Sequence, residues 1–205
     1  SLRLIIAGGS IKGTLYGVYT FLENYLDCRM YSSNVKVIPT RATISLDKIN
    51  IKEIPEIKFR DVHYRVTYHK EFSEWHKLDH DESGGRPAWG PWVHTFNSLV
   101  PPEVYFEDHP EYFAERNGER LPTQLCLTNS NVLNITIQNL RKQVASNPEA
   151  KYWSVSQNDN KQYCQCDKCR AIDEKEGSPS GSIISFVNQV ADQFPDKMIS
   201  TLAYE

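Results

Sequence analysis

Apolar residues recur along this chain at two spacings, a helical one and an alternating one, and each spacing predicts its own element. Residues 2–7 (Leu2-Arg3-Leu4-Ile5-Ile6-Ala7) read as a strand that stops at the Gly8-Gly9-Ser10 turn. A helix is predicted from about Thr14, because Leu15, Val18, Leu22, Tyr25 and Leu26 then share a face. Cys28 closes it as a small buried hydrophobe. Residues 35–38 and 42–46 read as short strands around Pro39, and residues 50–56 as a linker. Residues 57–66 alternate: Phe59, Asp61, His63 and Arg65 lie on one face of a strand, with Arg60, Val62, Tyr64 and Val66 on the other.

A loop rich in Gly, Pro, Trp and His follows from about His76 to His94, long enough to predict a functional role or disorder. Residues 101–115 read as a helix, Asn117-Gly118 as a turn and residues 123–127 as a strand. Asn129 or Ser130 caps a helix to about Ala145, with Leu133, Ile137, Leu140 and Val144 on its apolar face. Residues 152–156 read as a buried strand. A helix from about Ser180 to Phe194 carries Ile183, Ile184, Val187, Val190, Ala191 and Phe194 as a stripe, and residues 198–205 close the chain as a strand.

From residue 57 onward, strands alternate with helices, which predicts βαβ units and a parallel sheet. About 150 residues are too few for a full eight-fold barrel of ~250. The expected fold class is therefore α/β: the end of a small α/β domain over residues 1–52, then the first half of a (β/α)8 TIM-type barrel over residues 53–205. Both ends look internal to a longer protein, expected to be secreted, periplasmic or on the cell surface, with its targeting signal outside this segment.

Composition narrows the function. The 205 residues carry a net charge of −3 with a pI near 6.1. Nucleic-acid binders usually show a basic patch or stripe, so none is expected as a partner. No run approaches the ~18 apolar residues of a membrane span.

Chemistry concentrates in one stretch. Tyr152-Trp153-Ser154-Val155-Ser156 runs into Gln157-Asn158-Asp159-Asn160, and Cys164, Cys166 and Cys169 follow. Barrel enzymes work where strands end, so Asp159 is the first candidate carboxylate; its plainer role is to cap a turn. Glycoside hydrolysis usually needs two carboxyl groups, and Glu205, at the end of the next predicted strand, is the candidate partner. His94 and His63 are candidate sugar ligands, against ordinary structural roles: a core histidine for His94, and for His63 an ion pair with Asp61 and Arg65. Trp89 and Trp92 flank Gly90-Pro91 and offer flat faces to a pyranose. Trp153 reads as core. Asn158 and Asn160 are candidate sugar-binding amides.

The cysteines admit three readings. Three thiolates and a fourth ligand, with Asp159 or Asp167 nearest, could hold structural zinc. Cys164 and Cys169 could form a disulfide. All three could be free thiols. The expected role of the cluster is to brace the loop after Asp159 rather than to catalyse, and no cofactor is required for catalysis. The Asn134-Ile135-Thr136 sequon falls inside a predicted helix and is discounted.

Several motifs resemble known families. Gly13-Thr14-Leu15-Tyr16-Gly17-Val18-Tyr19, with Cys28-Arg29-Met30-Tyr31, resembles the small domain that precedes the barrel in hexosaminidases and α-glucuronidases. Trp92-Val93-His94-Thr95, His109-Pro110-Glu111-Tyr112-Phe113, Gln124-Leu125-Cys126-Leu127-Thr128-Asn129 and Ser154–Asn160 with the cysteine cluster resemble a bacterial domain of unknown function, family 4838. That family is similar to glycoside hydrolase family 163. The resemblance implies an endo-β-N-acetylglucosaminidase acting on N-glycans, with a glycan as partner. Related hexosaminidases carry an adjacent Asp-Glu pair; here the place reads Asn158-Asp159-Asn160. Two other expectations therefore stand beside hydrolysis: a glycan-binding module on the same fold, and a zinc-stabilised protein centred on the cysteines.

Overall fold

The computed structural model describes residues 3–9, 12–79 and 89–202. The chain forms two compact units, residues 1–87 and 88–205. Both mix helices with small sheets.

In the first unit, helix α1 (Gly13–Leu26) ends at Asp27 in the left-handed conformation. The antiparallel strands β1 (Arg29–Ser32) and β2 (Val35–Val37) follow, and then the short helix α2 (Lys70–Trp75). Cys28, Met30 and Trp75 are the buried centre, with Tyr19, Leu22, Leu26 and Phe72 packed around them. The Trp75 indole N–H donates to Glu23 (2.6 Å), satisfying a polar tip that burial would otherwise strand. Residues 3–8 and 42–46 are not strands, and residues 57–64 run irregularly into a 3-10 turn over Arg65–Tyr68. The alternation of residues 57–66 is real, but a strand also needs a ladder. Here Arg60 exchanges hydrogen bonds with Asp79 instead.

The second unit holds the larger core. Helices α3 (Phe96–Leu99) and α4 (Pro102–Tyr105) precede a hairpin of β3 (Phe113–Arg116) and β4 (Glu119–Leu125). Residues 101–115 are thus not one helix: only short turns form before the chain pairs across Asn117-Gly118. Both turn residues have positive φ (53° and 83°), the geometry a tight two-residue hairpin requires. Helix α5 (Ser130–Ser146) starts where expected, and the Asn129 side chain accepts from the Asn131 N–H. Strand β5 (Tyr152–Ser154) pairs in parallel with β6 (Met198–Ser200). Between them lie α6 (Asp167–Glu176) and α7 (Ser180–Ala191). Ile183, Phe186, Val187 and Val190 of α7 are buried, whereas Ile184 is exposed.

Among the described residues each sheet has two strands and no barrel forms. The parallel arrangement does extend by one segment. Gly90 N–H donates to Tyr152 O (2.9 Å), Ser154 N–H to Pro91 O (3.2 Å) and Thr95 N–H to Ser156 O (3.0 Å), so residues 89–95 run beside β5. Strand β5 lies between them and β6. Its Trp153 is 1% exposed, which bears out core packing for this side chain.

Gly90 lies so close to the Trp153 indole that an added Cβ would overlap the ring. The ring is fully enclosed and has nowhere to move. Gly90→Ala is expected to cost ~1–3 kcal/mol in urea unfolding, the usual penalty for overpacking; no change would show that this contact is loose.

Candidate functional site: a polar strand end and a four-thiol centre

Past its last ladder residue, β5 becomes a buried run of hydroxyls and amides. The Ser154 hydroxyl donates to the Ser156 hydroxyl (2.9 Å). The Thr95 hydroxyl donates to Ser154 O and accepts from Ser156 N–H (both 3.0 Å). Ser156 Oγ in turn accepts the His94 backbone N–H (2.8 Å). Each buried polar group is thus matched, as burial demands.

His94 sits at this end of the strand. Its Nδ1 lies 2.9 Å from Gln157 O. A carbonyl only accepts, so Nδ1 carries the proton, and in the neutral ring Nε2 is the acceptor. His94 also has φ 54°, a conformation a non-glycine residue adopts only when its surroundings impose it.

The turn after Gln157 is pinned by a residue that sequence reasoning did not select. Gln124 of β4 is buried. Its Oε1 accepts Asn158 N–H (3.1 Å), and its Nε2 donates to Asn158 O (2.8 Å), Asn160 O (3.1 Å) and Asn160 Oδ1 (3.0 Å). Asn158 Nδ2 donates to Asn97 Oδ1 (2.7 Å) and Thr123 O (2.9 Å). Asn160 Nδ2 donates to Thr123 O (3.3 Å). Both asparagine amides therefore hold the turn in place, and Asp159 stands exposed at its apex.

The other candidates are dispersed. Trp89 stacks on Tyr152 (5.1 Å between centroids) and meets Trp92 edge-on (4.4 Å). That places the tryptophan pair beside the start of β5, whereas Asp159 and His94 lie past its end. His63 is exposed and belongs to the first unit. Glu205 lies outside the described residues, as do the central residues 80–88 of the Trp- and His-rich loop.

The cysteines converge, and a fourth joins them. Cys126 directly follows β4, and the hairpin brings it to Cys164, Cys166 and Cys169, all four sulfurs lying within 4.8 Å of one another. Cys126 and Cys166 are 3.7 Å apart. A tetrahedron with Zn–S bonds of about 2.3 Å has S···S edges of about 3.8 Å. Cys126, Cys164 and Cys169 are buried and Cys166 is half-buried; all are free thiols, so Cys164 and Cys169 are not bridged. Asp167 is exposed and pairs with Arg170 (2.6 Å). The fourth position is thus filled by Cys126 rather than by Asp159 or Asp167, and the cluster could hold a metal ion such as zinc.

The surroundings suit thiolates. The Glu115 backbone N–H points at Cys164 Sγ (3.3 Å) and the Thr128 hydroxyl lies 3.3 Å from Cys169 Sγ. Cys166 occupies the N-cap position of α6, without a side-chain capping bond, and Cys169 lies in its first turn, where the helix N-terminus favours negative charge. Hydrogen bonds from the Cys164 and Cys169 thiols hold Cys126 far below the usual thiol range, with Thr128 and Arg120 adding to the effect. In exchange the bond to Cys126 pushes Cys164 up to about 12, and Cys169 rises as well, chiefly through its bond to Cys126. One thiolate therefore forms easily, and a bound cation would stabilise the others.

The profile of a domain of unknown function, DUF4838, matches residues 30–205. No curated protein and no solved structure matches the chain. The match spans most of the chain, which belongs to the DUF4838 family.

Proposed function

We propose that this chain is part of a bacterial glycoside hydrolase, exported from the cytoplasm, that acts on β-linked N-acetylhexosamine in complex glycans. The endo-β-N-acetylglucosaminidase activity implied by the likeness to glycoside hydrolase family 163 is the specific form of this reading. The observation that carries it is the exposed Asp159 at the apex of a pinned turn, just past a buried parallel strand whose end His94 holds through Gln157 O. Strand β5, the helices α6 and α7, and β6 form one parallel crossover, the unit that a (β/α)8 barrel repeats.

In this reading the acetamido oxygen of the substrate attacks its own anomeric carbon. Asp159 accepts the acetamido N–H, orienting the group and offsetting the positive charge that develops on it. His94 presents Nε2 to a sugar hydroxyl. The general acid that protonates the leaving oxygen is Glu205, shortly past β6 in sequence, or a residue outside this segment. A fixed turn suits this role, because a group aimed at developing charge acts best when it need not reorganise.

The protein within its full-length parent is expected to cut N-glycans between the two core N-acetylglucosamines, read by mass spectrometry of a mixed glycan pool. Asp159→Asn should lower turnover by ~10²-fold or more; unchanged turnover would remove Asp159 from the mechanism. One observation favours a second reading: Asn158 and Asn160 flank Asp159, with no glutamate beside it. A non-catalytic glycan-binding module predicts saturable binding of the same glycans with no product.

A further inference from the structure

We infer that Cys126, Cys164, Cys166 and Cys169 hold one zinc ion in a closed tetrathiolate site that fastens the Asp159 loop to the β3–β4 hairpin. The donor set decides the metal class. Four sulfurs in tetrahedral reach select zinc or iron over hard, oxygen-seeking ions. Four protein ligands also leave no open position for water, and an open position is what a catalytic zinc requires. The site is therefore structural.

The ligands come from three places: the end of β4, the loop after β5, and the first turn of α6. In sequence, Cys126 and Cys166 are 40 residues apart. A bond network already runs between hairpin and loop. Gln165 N–H donates to Glu115 O (2.8 Å), and Arg116 donates to Lys161 O and Tyr163 O (both 3.4 Å). Gln124, two residues before Cys126, holds Asn158 and Asn160. The hairpin thus grips the loop by the hydrogen bonds of the Gln124 amide at its start and by the metal at its end. A zinc tetrathiolate carries a formal charge of about −2. The Arg120 guanidinium beside Cys126, the Glu115 N–H and the α6 N-terminus offset that charge, as surrounding groups commonly do around metal ligands.

The test uses the full chain purified without chelator and does not depend on hydrolysis, so it stands or falls apart from the glycosidase reading. Elemental analysis is expected to find one zinc per chain, lost in Cys126→Ser and kept in Cys28→Ser. Cobalt substitution should give intense thiolate-to-metal charge-transfer bands. Lys161 is exposed, and trypsin cleavage after it should be at least tenfold faster once a chelator has stripped wild type. Stripping wild type keeps the test open should the serine variant misfold. Iron instead of zinc, a substoichiometric metal content, or a disulfide within the cluster would overturn the assignment. Equal cleavage of loaded and stripped protein would overturn the clamp.

Discussion

Cys126→Ser is expected to lower the stability of the second unit by more than about 4 kcal/mol, a size reserved for changes such as loss of a metal or of a buried network. The side chain is 5% exposed and its sulfur meets Cys164, Cys166 and Cys169 inside 4.8 Å. Zinc binding contributes folding free energy directly, because an unfolded chain offers no preformed site. Serine changes the volume little but is a poor zinc ligand, leaving three thiols crowded around a vacated corner. Thermal unfolding followed by circular dichroism checks this. The midpoint should fall sharply for the variant, and chelator should then lower wild type to match while leaving the variant where it is. A midpoint that stays at the wild-type value would show that the four thiols contribute nothing to the fold.

Trp153→Ala carries the second large effect, ~3–5 kcal/mol in urea unfolding. The indole is the largest side chain enclosed in the core, and it sits in β5, between the residues 89–95 segment and β6. Its Nε1–H donates to Ala150 O (3.1 Å), which also accepts from Lys197 Nζ (3.1 Å), so truncation removes one of two bonds and the cost is mainly the lost packing. Gly90 packs on the ring face and could not fill the space without backbone movement. Trp153→Phe should cost less, because most of the ring volume survives and only the indole N–H is lost. A cost below about 1 kcal/mol for alanine would mean that the core around β5 collapses freely.

The parts of this fold that were legible in the sequence are the ones whose signal is local. Helices α1, α5 and α7 each carry an apolar stripe at helical spacing, and α5 also shows its Asn129 cap. Helix α6 was missed because its residues are mostly charged. Only Cys169 and Asp173 are buried along it, so no stripe marks it. Residues 113–115 were placed in the helix expected over 101–115, and pairing across Asn117-Gly118 puts them in a strand instead.

The site divides the same way. Cys164, Cys166 and Cys169 are neighbours in sequence and could be grouped on spacing alone. Cys126 joins them only through the β3–β4 hairpin, and Gln124 reaches Asn158 and Asn160 by the same route. One signal was present in the sequence: Gln124 and Cys126 are two residues apart at the end of a predicted strand, and alternation puts them on one face. Asn158 and Asn160, expected as sugar-binding amides, donate their side-chain N–H groups to Asn97 Oδ1 and Thr123 O, which holds the turn.

The inferred zinc clamp at the four-thiol centre is tested most directly by X-ray absorption at the zinc edge of the metal-loaded full chain. The account predicts a single shell of four sulfur scatterers at about 2.3 Å and no oxygen or nitrogen neighbour. A mixed shell with oxygen or nitrogen at about 2.0–2.1 Å, or the absence of a zinc edge, would contradict it.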